Sequence, residues 1–146
     1  MKVLISGSSG LIGRRLKQTL EAAGHTVHAL VRNQGAIGGG NLYWEPEKGS
    51  VDLNALEGYD AVINLSGDNI ASGRWTEGKK KRILESRLQS TKTLADALSK
   101  LRHPPKVFIS GSAIGFYGDR GTLACDEASG AGTGFLADVC RRWEQA

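Results

Sequence analysis

The stretch Lys2-Val-Leu-Ile-Ser-Gly7-Ser-Ser-Gly10-Leu-Ile-Gly13 constrains this chain more than any other, because a short apolar run there meets three glycines spaced three residues apart. Val3, Leu4 and Ile5 form a continuous apolar segment, the pattern of a parallel strand buried on both faces. Arg14 to Gly24 then continues, as an amphipathic helix, the helix that starts within this stretch, with Leu16 and Leu20 one turn apart and a glycine to end it. His25 to Val31 supplies a second apolar strand. The unit is a strand, a tight turn, a helix and a returning strand.

Each glycine has its own physical task. Gly7 frees the backbone for a sharp turn, Gly10 removes a side chain where a pyrophosphate would approach, and Gly13 lets the helix pack closely on its strand. Free N–H groups where the helix begins, around Ser9, Leu11 and Ile12, then face the phosphates. Glycine-rich turns also occur without a ligand, but the strand and helix on either side favour dinucleotide binding. In NAD-binding domains the second strand ends, about 20 residues past the glycines, in an acidic residue that bonds the ribose 2′-hydroxyl. Here that place is held by Arg32, whose guanidinium suits a 2′-phosphate. The expected cofactor is NADP.

Further along, Gln34 to Asn41 is a glycine-rich loop, and Leu42-Tyr-Trp44 a short third strand with Trp44 in the core. Asp52 to Gly58 fits a short helix with Asp52 or a neighbour as its cap. Tyr59 to Leu65 is the fourth expected strand, ending in Ser66-Gly67 at the carboxyl edge, where open α/β sheets bind their ligands. Thr76 caps a long helix running to about Lys100, with Ile83, Leu84, Leu88, Leu94 and Leu98 at helical spacing, and His103-Pro-Pro105 breaks it. Arg87 on this helix is either a solvated charge or a functional one. Lys106 to Ser110 is the fifth expected strand, Ser112 and Tyr117 emerge just beyond it near the nicotinamide, and Phe135 to Ala146 is a last helix.

The 146 residues make one domain or slightly less, and the formal net charge of +4 comes with no aromatic-interleaved basic patch, which argues against nucleic acid. Lys79-Lys-Lys-Arg82, the densest basic run, is expected to solvate one stretch of its helix, with attraction to an anionic cofactor the secondary reading. No apolar run approaches the roughly 18 residues that span a bilayer, and the first one breaks at Ser6-Gly7 before it could serve as a signal peptide. A cytoplasmic protein is expected, with no membrane partner. Cys125 and Cys140 lack metal-ligand spacing and read as reduced thiols, and no metal site is expected.

Gly7-Ser-Ser-Gly10-Leu-Ile-Gly13, Asn64-Leu-Ser-Gly67, Arg74-Trp75, Ser86-Arg87, Ser110-Gly-Ser112-Ala, Tyr117-Gly-Asp119, Phe135-Leu-Ala and Trp143-Glu144 together resemble the atypical, extended short-chain dehydrogenases/reductases. Within that branch they are similar to the epimerase-like proteins of the NAD-dependent epimerase/dehydratase-like family. The resemblance covers nearly the whole chain. It implies that Gly7, Gly10 and Gly13 cradle the pyrophosphate and that Arg32 takes the 2′-phosphate. It also implies that Leu65, Ser66 and Gly67 line the adenine-ribose side, that Arg87 reaches the cofactor, and that Ser112 is the catalytic or substrate-orienting hydroxyl.

Two departures from that family stand out. Short-chain dehydrogenases use a Tyr-x-x-x-Lys pair, in which the lysine helps lower the tyrosine's pKa. Phe135-Leu-Ala-Asp-Val139-Cys140 has neither residue at the right spacing, and Tyr117, on a different element, is the weaker stand-in. The chain is also short for the family, so it is expected to stop before the C-terminal substrate domain and to leave a sheet edge open to pairing with a second copy.

The expected fold is α/β, a Rossmann-like, doubly wound and mostly parallel sheet with helices on both faces. The expected function is the NADP(H)-binding domain of an epimerase-like oxidoreductase or isomerase acting on a small hydroxyl or carbonyl substrate, a nucleotide sugar among the possibilities. The rival is a non-catalytic dinucleotide-binding module that regulates a partner.

Overall fold

The apolar run Val3–Ile5 lies inside a six-stranded sheet in the computed structural model, which describes residues 1–146. The strands are β1 (Lys2–Ser6), β2 (Thr26–Val31), β3 (Leu42–Glu45), β4 (Ser50–Val51), β5 (Ala61–Asn64) and β6 (Val107–Ser110). Their spatial order is β4-β3-β2-β1-β5-β6, and only the β3–β4 pair is antiparallel. The chain thus winds outward from β1 through β2 and β3, then crosses back to build β5 and β6 on the other side. That reversal puts a switch point between β1 and β5, where open α/β sheets form a ligand crevice.

Register makes the crevice level. Ser6 pairs with Asn64 and Asn64 with Ser110, so β1, β5 and β6 end together at one carboxyl edge. The four helices are α1 (Leu11–Ala22), α2 (Leu53–Leu56), α3 (Glu77–Leu98) and α4 (Phe135–Glu144).

Alternation along β1 assigns its residues to two cores. Leu4 points with Leu30, Trp44, Leu56 and Val62 into a cluster sealed by Leu94, Ala97 and Leu98 of α3. Val3 and Ile5 point the other way with Val27 and Ile63, against Leu16 and Leu20 of α1. Leu4, Ile5 and Val62 are each 0% exposed, and burial of such a side chain contributes about 1.5–3 kcal/mol. Helices on both faces of a mostly parallel sheet make the fold Rossmann-like and doubly wound.

Local signals match the elements they specify. Gly24 takes φ +80° just past α1, Thr76 Oγ1 accepts the Lys79 N–H to cap α3, and Asp52 accepts the Asn54 N–H to cap α2. Trp44 is buried, as its place in a short strand requires.

Three expectations are corrected. β4 is an antiparallel edge strand of two residues, too short to show a period, so the expected fourth and fifth strands are β5 and β6. α3 stops at Leu98, where Ser99 N–H closes on Ala95 O, five residues ahead of His103; the prolines follow the end without causing it. Lys79 is not part of a solvated run: it is 5% exposed, because the first turn of α3 faces oxygens of residues 68–72.

Candidate functional site

The site begins where β1 turns into α1. Gly7 has φ +72°, and a Cβ there would lie 2.6 Å from the carbonyl oxygen of Leu65, just past β5. A Cβ on Gly13 would collide with the carbonyl of Gly7. These two glycines therefore let the ends of β1 and β5 and the start of α1 touch. Gly10 has ordinary backbone angles, φ −72° and ψ 174°, and a Cβ there would meet only Gly7 O at 3.3 Å. Its lack of a side chain leaves the outer surface of the turn open.

α1 has no side-chain cap and no acidic residue in its first turn. The N–H groups of Leu11 and Ile12 find no acceptor within the chain, and these two apolar side chains are 82% and 68% exposed. A helix end with free amides and positive dipole charge suits an anion. The open glycine surface, the free amides and the exposed apolar rim together fit a dinucleotide.

Arg32 follows β2 directly and is exposed, on the far side of the β1 end from β5. Leu65 continues the β5 ladder by donating its N–H to Ser6 O at 3.1 Å, and Ser66 N–H reaches Asn64 Oδ1 at 3.3 Å. Gly67 abuts Arg87: a Cβ at 67 would lie 3.0 Å from the guanidinium carbon. Arg87 Nη1 donates to Asp68 O at 3.1 Å and Ile83 O at 2.9 Å, and the guanidinium stacks 5.1 Å above the Trp143 ring. Burial lowers the Arg87 pKa, with Cys140 and Asp68 opposing that shift. The fold therefore gathers Gly7, Gly10, Gly13, Leu65, Ser66, Gly67 and Arg87 at the β1–β5 switch point. Arg32 stands beyond one flank and Ser112, after β6, beyond the other.

Ser112 is exposed, and its hydroxyl donates to Glu144 Oε1 on α4. Tyr117 closes a 3-10 turn over Ile114–Tyr117; its hydroxyl donates to Asp126 O at 2.9 Å and its ring meets Phe116 edge-on. α4 presents Leu136 and Cys140 to this segment, with Leu136 Cβ 3.4 Å and Cys140 Sγ 3.7 Å from where a Gly115 Cβ would stand. An aliphatic group and a buried thiol thus share one face of α4, one turn apart. Burial pushes the Cys140 thiol pKa up.

Sequence reasoning missed three groups here: Glu144 as partner of Ser112, the buried Ser6–Asn64–Thr91 hydrogen bonds, and the Lys79–Asp68 pair. Only the second had a local signal, a polar residue ending each of two apolar strands.

Sheet order, glycine turn and uncapped helix together define a dinucleotide-binding Rossmann-like protein. Comparison with known proteins places it further: residues 3–133 match the model of the NAD dependent epimerase/dehydratase family, and the chain belongs to that family. It is 44% identical over 144 residues to the epimerase family protein Mb2239 of Mycobacterium bovis, covering 99% of this chain and 47% of that one. The crystal structure of human epimerase family protein SDR39U1 with NADPH superposes with a TM-score of 0.87 at 34% identity, over 99% of this chain and 48% of that one. A nucleoside-diphosphate sugar epimerase from Corynebacterium glutamicum gives a TM-score of 0.82 at 38% identity, over 99% and 30% of the two chains. The chain spans about half the length of the curated relatives it matches. No helix is long and apolar enough to cross a membrane.

Proposed function

We propose that residues 1–146 are the NADP(H)-binding domain of an epimerase-like oxidoreductase or isomerase whose substrate is a small hydroxyl or carbonyl compound, such as a nucleotide sugar. The observation that carries this reading is Arg32 at the end of β2, joined to a glycine turn whose close approaches leave room for a pyrophosphate. The NADPH in the human relative's structure agrees with it. In this reading the Leu11 and Ile12 amides hold the pyrophosphate, Arg32 the 2′-phosphate, and Arg87 reaches the cofactor from behind Gly67.

When bound, the dinucleotide supplies a hydride acceptor or donor for a carbinol or carbonyl carbon. The chain's own part is orientation and proton placement. The Ser112 hydroxyl, its proton given to Glu144, orients the substrate at the carboxyl edge of β6 by accepting a hydrogen bond from a substrate hydroxyl. Tyr117 is the second candidate for moving a proton, but its hydroxyl already donates to the Asp126 carbonyl.

The test is a thermal-shift and fluorescence titration of wild type and Arg32→Ala with NADP and NAD. A guanidinium–phosphate contact predicts that Arg32→Ala loses about tenfold or more in NADP affinity and little in NAD affinity. Equal losses for both would overturn the assignment of Arg32.

One observation favours a second reading, a non-catalytic module in which the dinucleotide is a sensory or structural ligand. The face of α4 turned toward residues 113–117 carries Leu136 and Cys140, neither of which can serve as a Tyr/Lys pair. Tight NADPH binding without oxidation by a broad carbonyl panel is the result that this reading expects.

A further inference from the structure

Lys79 lies in the first turn of α3, and its ammonium is spent entirely inside the protein. Nζ donates to Asp68 Oδ2 at 3.0 Å, Asn69 O at 2.7 Å and Ser72 Oγ at 2.9 Å, which uses its three protons. A lysine this buried persists only where each proton has an acceptor and the charge has a counter-ion.

Asp68 is committed just as fully to α3. Its N–H donates to Ser86 Oγ at 2.9 Å, its carbonyl accepts from Arg87 Nη1 at 3.1 Å, and its carboxylate faces Lys79 and, at 3.7 Å, the rim residue Arg82. The Lys79 hydrogen bond holds the Asp68 carboxyl below the usual aspartate range. The 68–75 segment has no helix or strand of its own, and it ends in Trp75, whose ring packs 5.7 Å from Phe135 of α4. Lys79 thus supplies three of the attachments that hold this segment against α3.

Arg87 depends on the same residue. It has two hydrogen-bond acceptors, one in its own helix and the other the Asp68 carbonyl. If the segment drifts, the guanidinium loses the acceptor that keeps it beside Gly67.

We propose that Lys79 is a positioning residue for the dinucleotide site: by clamping Asp68 to α3 it holds the Arg87 guanidinium beside Gly67, without itself touching the cofactor. The proposal rests on the NADP(H) reading above, so its test has one arm that needs no cofactor.

NADPH dissociation constants would be measured for wild type, Lys79→Met, Arg87→Ala and the double variant, and trypsin cleavage after the exposed Arg74 would be followed by mass spectrometry without ligand. Lys79→Met is expected to lose about tenfold in NADPH affinity, and the double variant no more than Arg87→Ala alone, because Lys79 acts through Arg87. Cleavage after Arg74 is expected to rise about tenfold in Lys79→Met while the main thermal transition persists. Additive losses in the cycle, or unchanged cleavage after Arg74, would overturn the proposal. A wild-type chain that binds no NADPH would sink the cofactor reading and the binding role together, and the cleavage arm would still decide whether Lys79 holds the segment. Should Lys79→Met fail to fold, Asp68→Asn keeps the backbone contacts to Ser86 and Arg87 and carries the same cycle.

Discussion

Ser6 Oγ donates to Asn64 Oδ1 at 2.6 Å, so the last residues of β1 and β5 are joined by their side chains across the switch point. Asn64 Nδ2 in turn donates to Thr91 Oγ1 of α3 at 3.0 Å, and the same oxygen accepts Trp143 Nε1 of α4 at 2.9 Å. Ser6, Asn64 and Thr91 are all buried, and no buried side-chain polar atom in the chain lacks a partner. One polar chain therefore runs beneath the proposed dinucleotide crevice and fixes both strand ends to two helices.

Breaking that chain at its centre leaves buried groups unpaired, each costing about 1–3 kcal/mol. Asn64→Leu, similar in volume, is expected to lower the unfolding free energy by about 2–4 kcal/mol in urea denaturation. Adding Ser6→Ala should recover part of the loss, since an unpaired hydroxyl is then removed. A double variant less stable than Asn64→Leu would show that the hydroxyl is not orphaned by the first change.

The glycines separate fold from binding. A Cβ at Gly13 meets the Gly7 carbonyl and the Ser8 Cα within the packed turn, so Gly13→Ala must move α1. Overpacking of this kind costs about 1–3 kcal/mol. Gly10→Ala meets only one atom, at 3.3 Å, and has compatible backbone angles. Its expected phenotype is near-normal melting with weakened NADPH binding, because the methyl occupies the surface that a pyrophosphate would approach. Paired melting and titration curves check both variants; normal NADPH affinity in a folded Gly10→Ala would move the dinucleotide off this turn.

What the sequence made legible was whatever is written locally. The Val3–Ile5 run, the Gly7–Gly13 spacing, the Thr76 cap and the Leu94 and Leu98 spacing each declare an element within a few residues, and each of those elements forms, α3 ending two residues short of the expected Lys100. Arg87 was ambiguous because its acceptors, Asp68 O and Ile83 O, come from a loop 19 residues away and from its own helix. Lys79 was misassigned for the same reason: its three oxygens arrive only when the 68–72 segment folds back over α3, and no spacing along the helix announces that. β4 was invisible because two residues have no period.

His28 is expected to make stability depend on pH near neutrality. Its ring accepts or shares a hydrogen bond with Tyr59 Oη at 2.7 Å, and Gly40 presses on its other side with no room for a Cβ. Desolvation first, then the charges of Lys2 and Lys17, lower its pKa from the ordinary 6.5. The unfolded chain therefore takes up a proton at higher pH than the folded one, so stability is full above 6.5 and falls as pH drops through that value toward the folded pKa. Urea midpoints measured from pH 7.5 to pH 5 (both about one to two units from the ordinary histidine value) are expected to decline. His28→Gln should flatten that decline; an undiminished slope would assign it to another group.

β6 forms the open edge of the sheet, paired to β5 on one side and to no strand on the other. Val107 and Ile109 on this strand are 46% and 50% exposed. Register explains why: Ile109 aligns with Ile63 and Ile5 on the face that α1 covers, and α1 packs through Leu16 and Leu20 against Val3, Ile5, Val27 and Ile63 without reaching β6. An unpaired strand edge beside exposed apolar side chains is a template for another copy of the chain. Sedimentation velocity of residues 1–146 across a concentration series is expected to show self-association of that segment, and Ile109→Lys should shift it to monomer by placing a charge beside that edge. Because Ile109 is half-exposed, the variant's stability should change by no more than about 0.5–1 kcal/mol. A wild-type chain monomeric at every concentration, or an Ile109→Lys chain that associates as before, would locate any association elsewhere on the surface.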